Sequence, residues 1–229
     1  MKIGAAVLLA VVFAALCGPA IAHGIGGSDA AFVAGASGPE PVAFLYLGAK
    51  HMVTGYDHLL FILGVIFFLY RLRDVALYVT VFSIGHSITL LAGVLSGIQV
   101  NASLVDAVIG LSVAYKAFDN LGGFDRLVGW RPDPKLAVLA FGLVHGFGLA
   151  TKLQALNIPK PGLIANLVAF NIGVEAGQLI ALSLMLAVVL LWRRRPGFAR
   201  QAVWANALIL TAGFVLMDYH LIHFAFGGA

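Results

Sequence analysis

Thirty consecutive residues, 163–192, carry a single charged side chain, Glu175. Crossing the apolar part of a bilayer takes about 20 residues of helix, so such a stretch belongs in a membrane or in the centre of a very large soluble core. At 229 residues the chain is too short for the second. Composition agrees: 61% of residues are hydrophobic and 10% are charged, where an ordinary soluble domain has about 25% charged. A large soluble catalytic domain is excluded. The expected fold class is an all-α integral membrane protein.

The chain opens with Met1-Lys2, an apolar run from Ile3 to Leu16, and Ala20-Ile21-Ala22. That order describes a cleavable signal peptide over 1–22, with an uncleaved first span as the alternative. Cleavage would remove Cys17, the sole cysteine, and leave His23 as the new terminus. No intrachain disulfide can form. Residues 23–54 divide into an external linker rich in Gly, Ala and Ser and an interfacial or re-entrant helix at 42–54. A six-helix transmembrane bundle follows over 55–226. Its spans are expected at about 55–70, 75–98, 104–121, 135–156, 163–192 and 201–226, with Gly and Pro punctuating the loop at 122–134.

Loop cations give an orientation. Nine Lys/Arg (Arg71, Arg73, Arg126, Arg131, Lys135, Arg193, Arg194, Arg195, Arg200) lie on one side and three (Lys50, Lys152, Lys160) on the other. The richer side faces the cytoplasm, so both mature ends should lie outside. The net charge of +4 is therefore a topology signal. No basic stripe suited to nucleic acid occurs, and no GxxxxGK[ST] loop for a nucleotide. Gly93-x3-Gly97, Gly142-x3-Gly146 and Gly173-x3-Gly177 have the spacing for close helix packing.

Ionisable groups inside a membrane are costly, and each marks a candidate site. His86 and His145 should lie about 16 Å and 15 Å from the same face, counting 1.5 Å per residue. Their surroundings repeat, as Phe82-x3-His86-x3-Leu90 and Phe141-x3-His145-x3-Leu149. Glu175 lies near the middle of the fifth span, and Asn171, Glu175 and Gln178 share one helix face. Two imidazoles and a carboxylate suit a divalent transition-metal ion: nickel, cobalt, copper or zinc. In the first span, His51 and His58 are seven residues apart, about 10.5 Å along a straight helix. Either Gly55 breaks that helix, or the two histidines serve separate sites. Asp57 is a ligand or a helix cap. Lys116 and Asp119, at i and i+3, read as a structural pair. Asp106, and the group Asp218, His220 and His223, lie near the outer ends of their spans.

The segments HMVTGYDHLLFILGV, FSIGHSITL, VDAVIGLSVAYKAFDN, FGLVHGFGLA and FNIGVEAGQL, in this order, resemble the HupE/UreJ family of bacterial membrane proteins. The resemblance implies nickel or cobalt uptake across the cytoplasmic (inner) membrane, linked to maturation of metalloenzymes such as hydrogenase or urease. It assigns His51, Asp57, His58, His86, His145 and Glu175 to the metal, and places Asp106 and Asp119 where the family has glutamates. Besides a permease, two classes remain open. One is an intramembrane zinc-dependent hydrolase, needing three protein ligands and an open position. The other is a metal-binding accessory or sensor protein.

Overall fold

The computed structural model describes residues 28–155 and 161–227. The expected signal segment 1–22, His23 and Lys160 lie outside the described residues. All regular structure in the described residues is helical: α1 (Ser28–Gly35), α2 (Pro41–Thr54), α3 (Tyr56–Ile66), α4 (Leu72–Ser96), α5 (Ala102–Asn120), a π-helical turn (Phe124–Val128), α6 (Pro134–Ala155), α7 (Leu163–Arg193) and α8 (Phe198–Phe226). Four of these, α4, α6, α7 and α8, are long and apolar enough to cross a membrane.

Three tight helix pairs surround a short central helix. α2 lies along α7, α4 along α6, and α5 along α8, while α3 touches members of every pair. Glycine makes all three approaches possible, at Gly110 and Gly213 between antiparallel α5 and α8 and at other positions in the two remaining pairs. Gly173 and Gly177 present bare backbone to Leu45, Ala49 and Met52, and Gly48 does the same to Phe170 and Val174. Gly142 and Gly146 likewise meet Phe82 and His86. In both pairs contacting residues advance together along the two helices, so the partners run parallel. The packing expectation therefore holds for these spacings. Gly97 differs: it ends α4 in the left-handed region, φ 69°, where a glycine is favoured over residues bearing a Cβ.

The first passage departs from expectation. The segment at 42–54 packs along α7 as α2, and the helix after it, α3, ends at Ile66 rather than near residue 70. Eleven residues of helix span about 16 Å, too little to cross a bilayer alone. A side chain from elsewhere closes its end. The Arg193 guanidinium donates to the carbonyls of Ile66, Phe67 and Leu69 at 2.8, 2.5 and 2.7 Å, satisfying acceptors that the broken helix leaves open. Tyr70 stacks beneath it, 4.4 Å from ring centre to guanidinium carbon.

A buried histidine cluster as candidate functional site

The centre of the bundle is built by a helix break. α2 ends and α3 begins at Gly55, whose backbone is extended at φ −75°, ψ 93°. The break redirects the chain within one residue. His51 and His58 consequently meet edge to face with ring centres 5.4 Å apart, where a continuous helix would separate them by about 10.5 Å. A Cβ on residue 55 would come within 3.0 Å of His58 Nδ1, so the compact arrangement uses the absence of a side chain there.

His58 is the hub. Its ring centre lies 4.8 Å from that of His145 on α6 and 6.3 Å from that of His86 on α4. Phe82 packs against both outer rings, at 6.2 Å from His86 and 5.1 Å from His145. Phe61 closes on His145 at 5.4 Å. His58, His86 and His145 are no more than 2% exposed, and Asp57 is equally deep. Buried imidazoles require polar company.

That company sets one tautomer. Asp57 Oδ1 lies 3.0 Å from His58 Nδ1. A carboxylate only accepts, so Nδ1 of the neutral ring carries the proton and Nε2 is the lone-pair nitrogen. The Ser112 hydroxyl lies 2.6 Å from the Ile109 carbonyl and 3.2 Å from His145 Nε2, and its proton can turn to either, so the contact fits both tautomers of His145. His86 Nε2 is buried with no hydrogen-bond partner among the described residues. Thr89, a turn beyond His86, donates to the Leu143 carbonyl at 2.7 Å and ties α4 to α6 at this level. Gly55 holds the N-cap position of α3, and Asp57 lies in the first turn of that helix.

An ion about 2.0–2.1 Å from each nitrogen would hold imidazole centres roughly 5 Å apart, close to the 5.4 Å of His51–His58 and the 4.8 Å of His58–His145. Among the described residues, however, no three His, Cys, Asp or Glu side chains are arranged to hold one metal ion together. The rings are gathered; their nitrogens do not converge.

Glu175 stands apart from the cluster. It is exposed on α7, while its stripe-mates turn to α4: Asn171 Nδ2 donates to Ser87 Oγ at 2.8 Å, and Ser83 Oγ donates to Gln178 Oε1 at 3.1 Å. The remaining charges form two further groups. Lys152 Nζ straddles Asp106 at 2.9 and 3.0 Å, with His220 Nδ1 3.9 Å from the same carboxylate. Asp218 and His223 are exposed, and His223 Nδ1 lies 3.1 Å from Ser103 Oγ. Asp119 accepts from Lys116 at 2.6 Å and from Arg131 at 2.7 Å. The second bond raises the guanidinium of Arg131, a loop residue, above its ordinary pKa. Lys116 also donates to Asn120, which bonds the Gly64 carbonyl and Asn206. Lys116 and Asp119 do pair, as their spacing predicts, with a third partner that spacing alone does not reveal. Ser112 also escaped the sequence; its only signal was a hydroxyl amid an apolar helix.

A multi-pass helical membrane protein with buried histidines at the junction of several helices is the class these features define. Residues 28–227 match the family model described as HupE / UreJ protein, so the chain belongs to the HupE/UreJ family, which is linked to nickel and cobalt transport. No curated protein and no solved structure matches it.

Proposed function

We propose that the protein admits a divalent transition-metal ion, nickel or cobalt, across the bacterial cytoplasmic membrane along His51, His58, His86 and His145. The observation that carries the proposal is the position of His58, with other histidines at ring distances of 4.8 to 6.3 Å. Its Asp57 contact leaves the lone pair on the far side of the ring. Borderline ions such as nickel and cobalt favour imidazole over carbonyl and water ligands. Conduction requires binding weak enough to release, spread over several sites. Histidines that are adjacent but not converged suit that requirement better than a tight resident ion. Glu175 lies outside this path.

In the proposed topology α2 and α3 make one broken passage and α4 to α8 make five more, with both mature ends outside. This puts the nine loop cations in the cytoplasm. The ion would then become available to metalloenzyme maturation proteins. Neither a zinc hydrolase nor a sensor gains a specific observation here.

The test is uptake into liposomes holding a trapped metal indicator, with nickel, cobalt, copper and zinc each supplied outside. Flux of nickel or cobalt that His58→Ala abolishes is expected. Tight stoichiometric zinc with no flux of any ion would overturn transport and favour the enzyme. A reporter active only in the cytoplasm, fused after Ala229, should be silent.

A further inference from the structure

Three segments far apart in the chain meet at one edge of the bundle. Phe67 after α3, Trp192 near the end of α7 and Phe198 at the start of α8 form an aromatic nest, with ring centres 5.7, 6.1 and 5.4 Å apart. Arg193 adds a second tie between α7 and the loop after α3, through the Phe67 and Leu69 carbonyls and the Tyr70 ring. Trp192 Nε1 adds one to α8, donating to Gln201 Oε1 at 2.6 Å. Five further arginines, Arg71, Arg73, Arg194, Arg195 and Arg200, lie within six residues of a nest ring along the chain. All five are exposed. None has a hydrogen-bond or ion-pair partner among the described residues, and Asp74 is the one acidic residue in segments 67–74 and 192–201.

Loop cations that only orient a chain need to share a side of the membrane; they need not converge. The third loop on this side shows the difference. Arg131 there is held by Asp119, and Arg126 and Lys135 are matched in number by Asp125 and Asp133. Free positive charge therefore gathers at the nest and not around the rim.

The position of the patch says what faces it. α4 begins, α7 ends and α8 begins here, and each is long and apolar enough to cross a membrane. An edge where such helices end lies at the level of lipid headgroups. Tyr70 and Leu72, on either side of Arg71, are 67% and 70% exposed, and an exposed Tyr beside apolar surface suits that interface. α4 and α8 also start here without a side-chain cap, and a helix N-terminus adds to the attraction for an anion.

We propose that this edge binds an anionic phospholipid, whose phosphate is taken by arginines of both loops while its acyl chains lie against Tyr70 and Leu72. Guanidinium groups hold phosphate oxygens through paired hydrogen bonds. A zwitterionic headgroup brings its own cation and gains less from five unpaired arginines. The site needs no metal ion, so it stands or falls apart from the histidine path.

The full chain in detergent is titrated with cardiolipin or with phosphatidylcholine, and retained lipid is counted by native mass spectrometry. Cardiolipin should be held about tenfold more tightly, because each arginine near the surface adds to the attraction. Arg71→Gln with Arg194→Gln, one from each loop, should remove most of that preference, and Lys at the same two positions should keep most of it. Arg126→Gln with Lys135→Gln takes the same charge from the third loop and should leave the preference unchanged. Rising salt should weaken cardiolipin retention by the wild type, since exposed charges are screened; this measurement needs no variant and stands if the Gln pair fails to fold. Equal retention of the two lipids, equal loss in the third-loop variant, or indifference to salt would each overturn the site. Displacement by millimolar inorganic phosphate would reassign the patch to a free anion, and tighter binding of polyglutamate than of cardiolipin would reassign it to an acidic protein; either overturns the lipid.

Discussion

The rings of His51 and His58 lie 5.4 Å apart across a one-residue helix break at Gly55. Seven residues along a continuous helix would hold them about 10.5 Å apart, beyond reach of a shared ion. Gly55 thus converts two levels of one helix into one level of a cluster. The break also frees His58 to face α4 and α6, where His86 and His145 wait.

Gly55→Ala tests that arrangement with one methyl group. The added carbon would come within 3.0 Å of His58 Nδ1 and 3.2 Å of the His51 carbonyl, closer than either accommodates without shifting. Backbone strain is not the cause, since φ is negative. Uptake should fall on the order of tenfold, equivalent to about 1.4 kcal/mol, with the thermal unfolding midpoint little changed. Unaltered flux would show that His58 need not sit where it does.

Asp57→Asn tests the tautomer. An amide can present either oxygen or NH2 to His58 Nδ1, so the proton is no longer pinned there. Loss of such an outer carboxylate typically lowers metal affinity roughly 10–100-fold. Calorimetric titration of nickel into the purified protein should record a drop in that range. The same variant should fold, because Asn is nearly the same shape.

The buried ion network at the other end of α5 makes a stability prediction. Lys116 is 9% exposed and depends on Asp119, which Arg131 also grips. Asp119→Asn strands a buried ammonium, and breaking a buried pair in this way costs about 3–5 kcal/mol. Adding Lys116→Met removes the stranded charge and should recover most of the loss. Thermal unfolding followed by tryptophan fluorescence reads both. Equal destabilisation by the single and double variants would mean that the network matters for shape alone.

The long helices were legible in the sequence because apolar length is itself a physical requirement: α4 to α8 begin and end within a few residues of the apolar runs. α3 was not, since its end depends on Arg193, more than a hundred residues away, reaching the Ile66 and Phe67 carbonyls. The histidines were legible as costly polar groups, although their hub was not. His58 looked peripheral until the break at Gly55 turned it inward. Glu175 shows the limit of a shared helix face. At 3.6 residues per turn it lies about 40° from Asn171 and about 60° from Gln178. That arc is wide enough for the two amides to enter the α4 seam while the carboxylate stays outside.

The last prediction concerns the outer end of the proposed path. Lys152 places its ammonium across both oxygens of Asp106, 2.9 and 3.0 Å away, with His220 beside them. A tethered ammonium on a carboxylate already occupies the position that an arriving cation would take. Lys152→Gln removes the competing charge and leaves a neutral donor of similar reach. Nickel uptake at low external concentration should then rise severalfold, while Asp106→Asn should lower it by a similar factor. Asp106 is buried, and salt screens buried charge far less than exposed charge, so both effects should persist at about 1 M ionic strength. Lowered uptake in Lys152→Gln would instead assign the pair a purely structural role in joining α5 to α6.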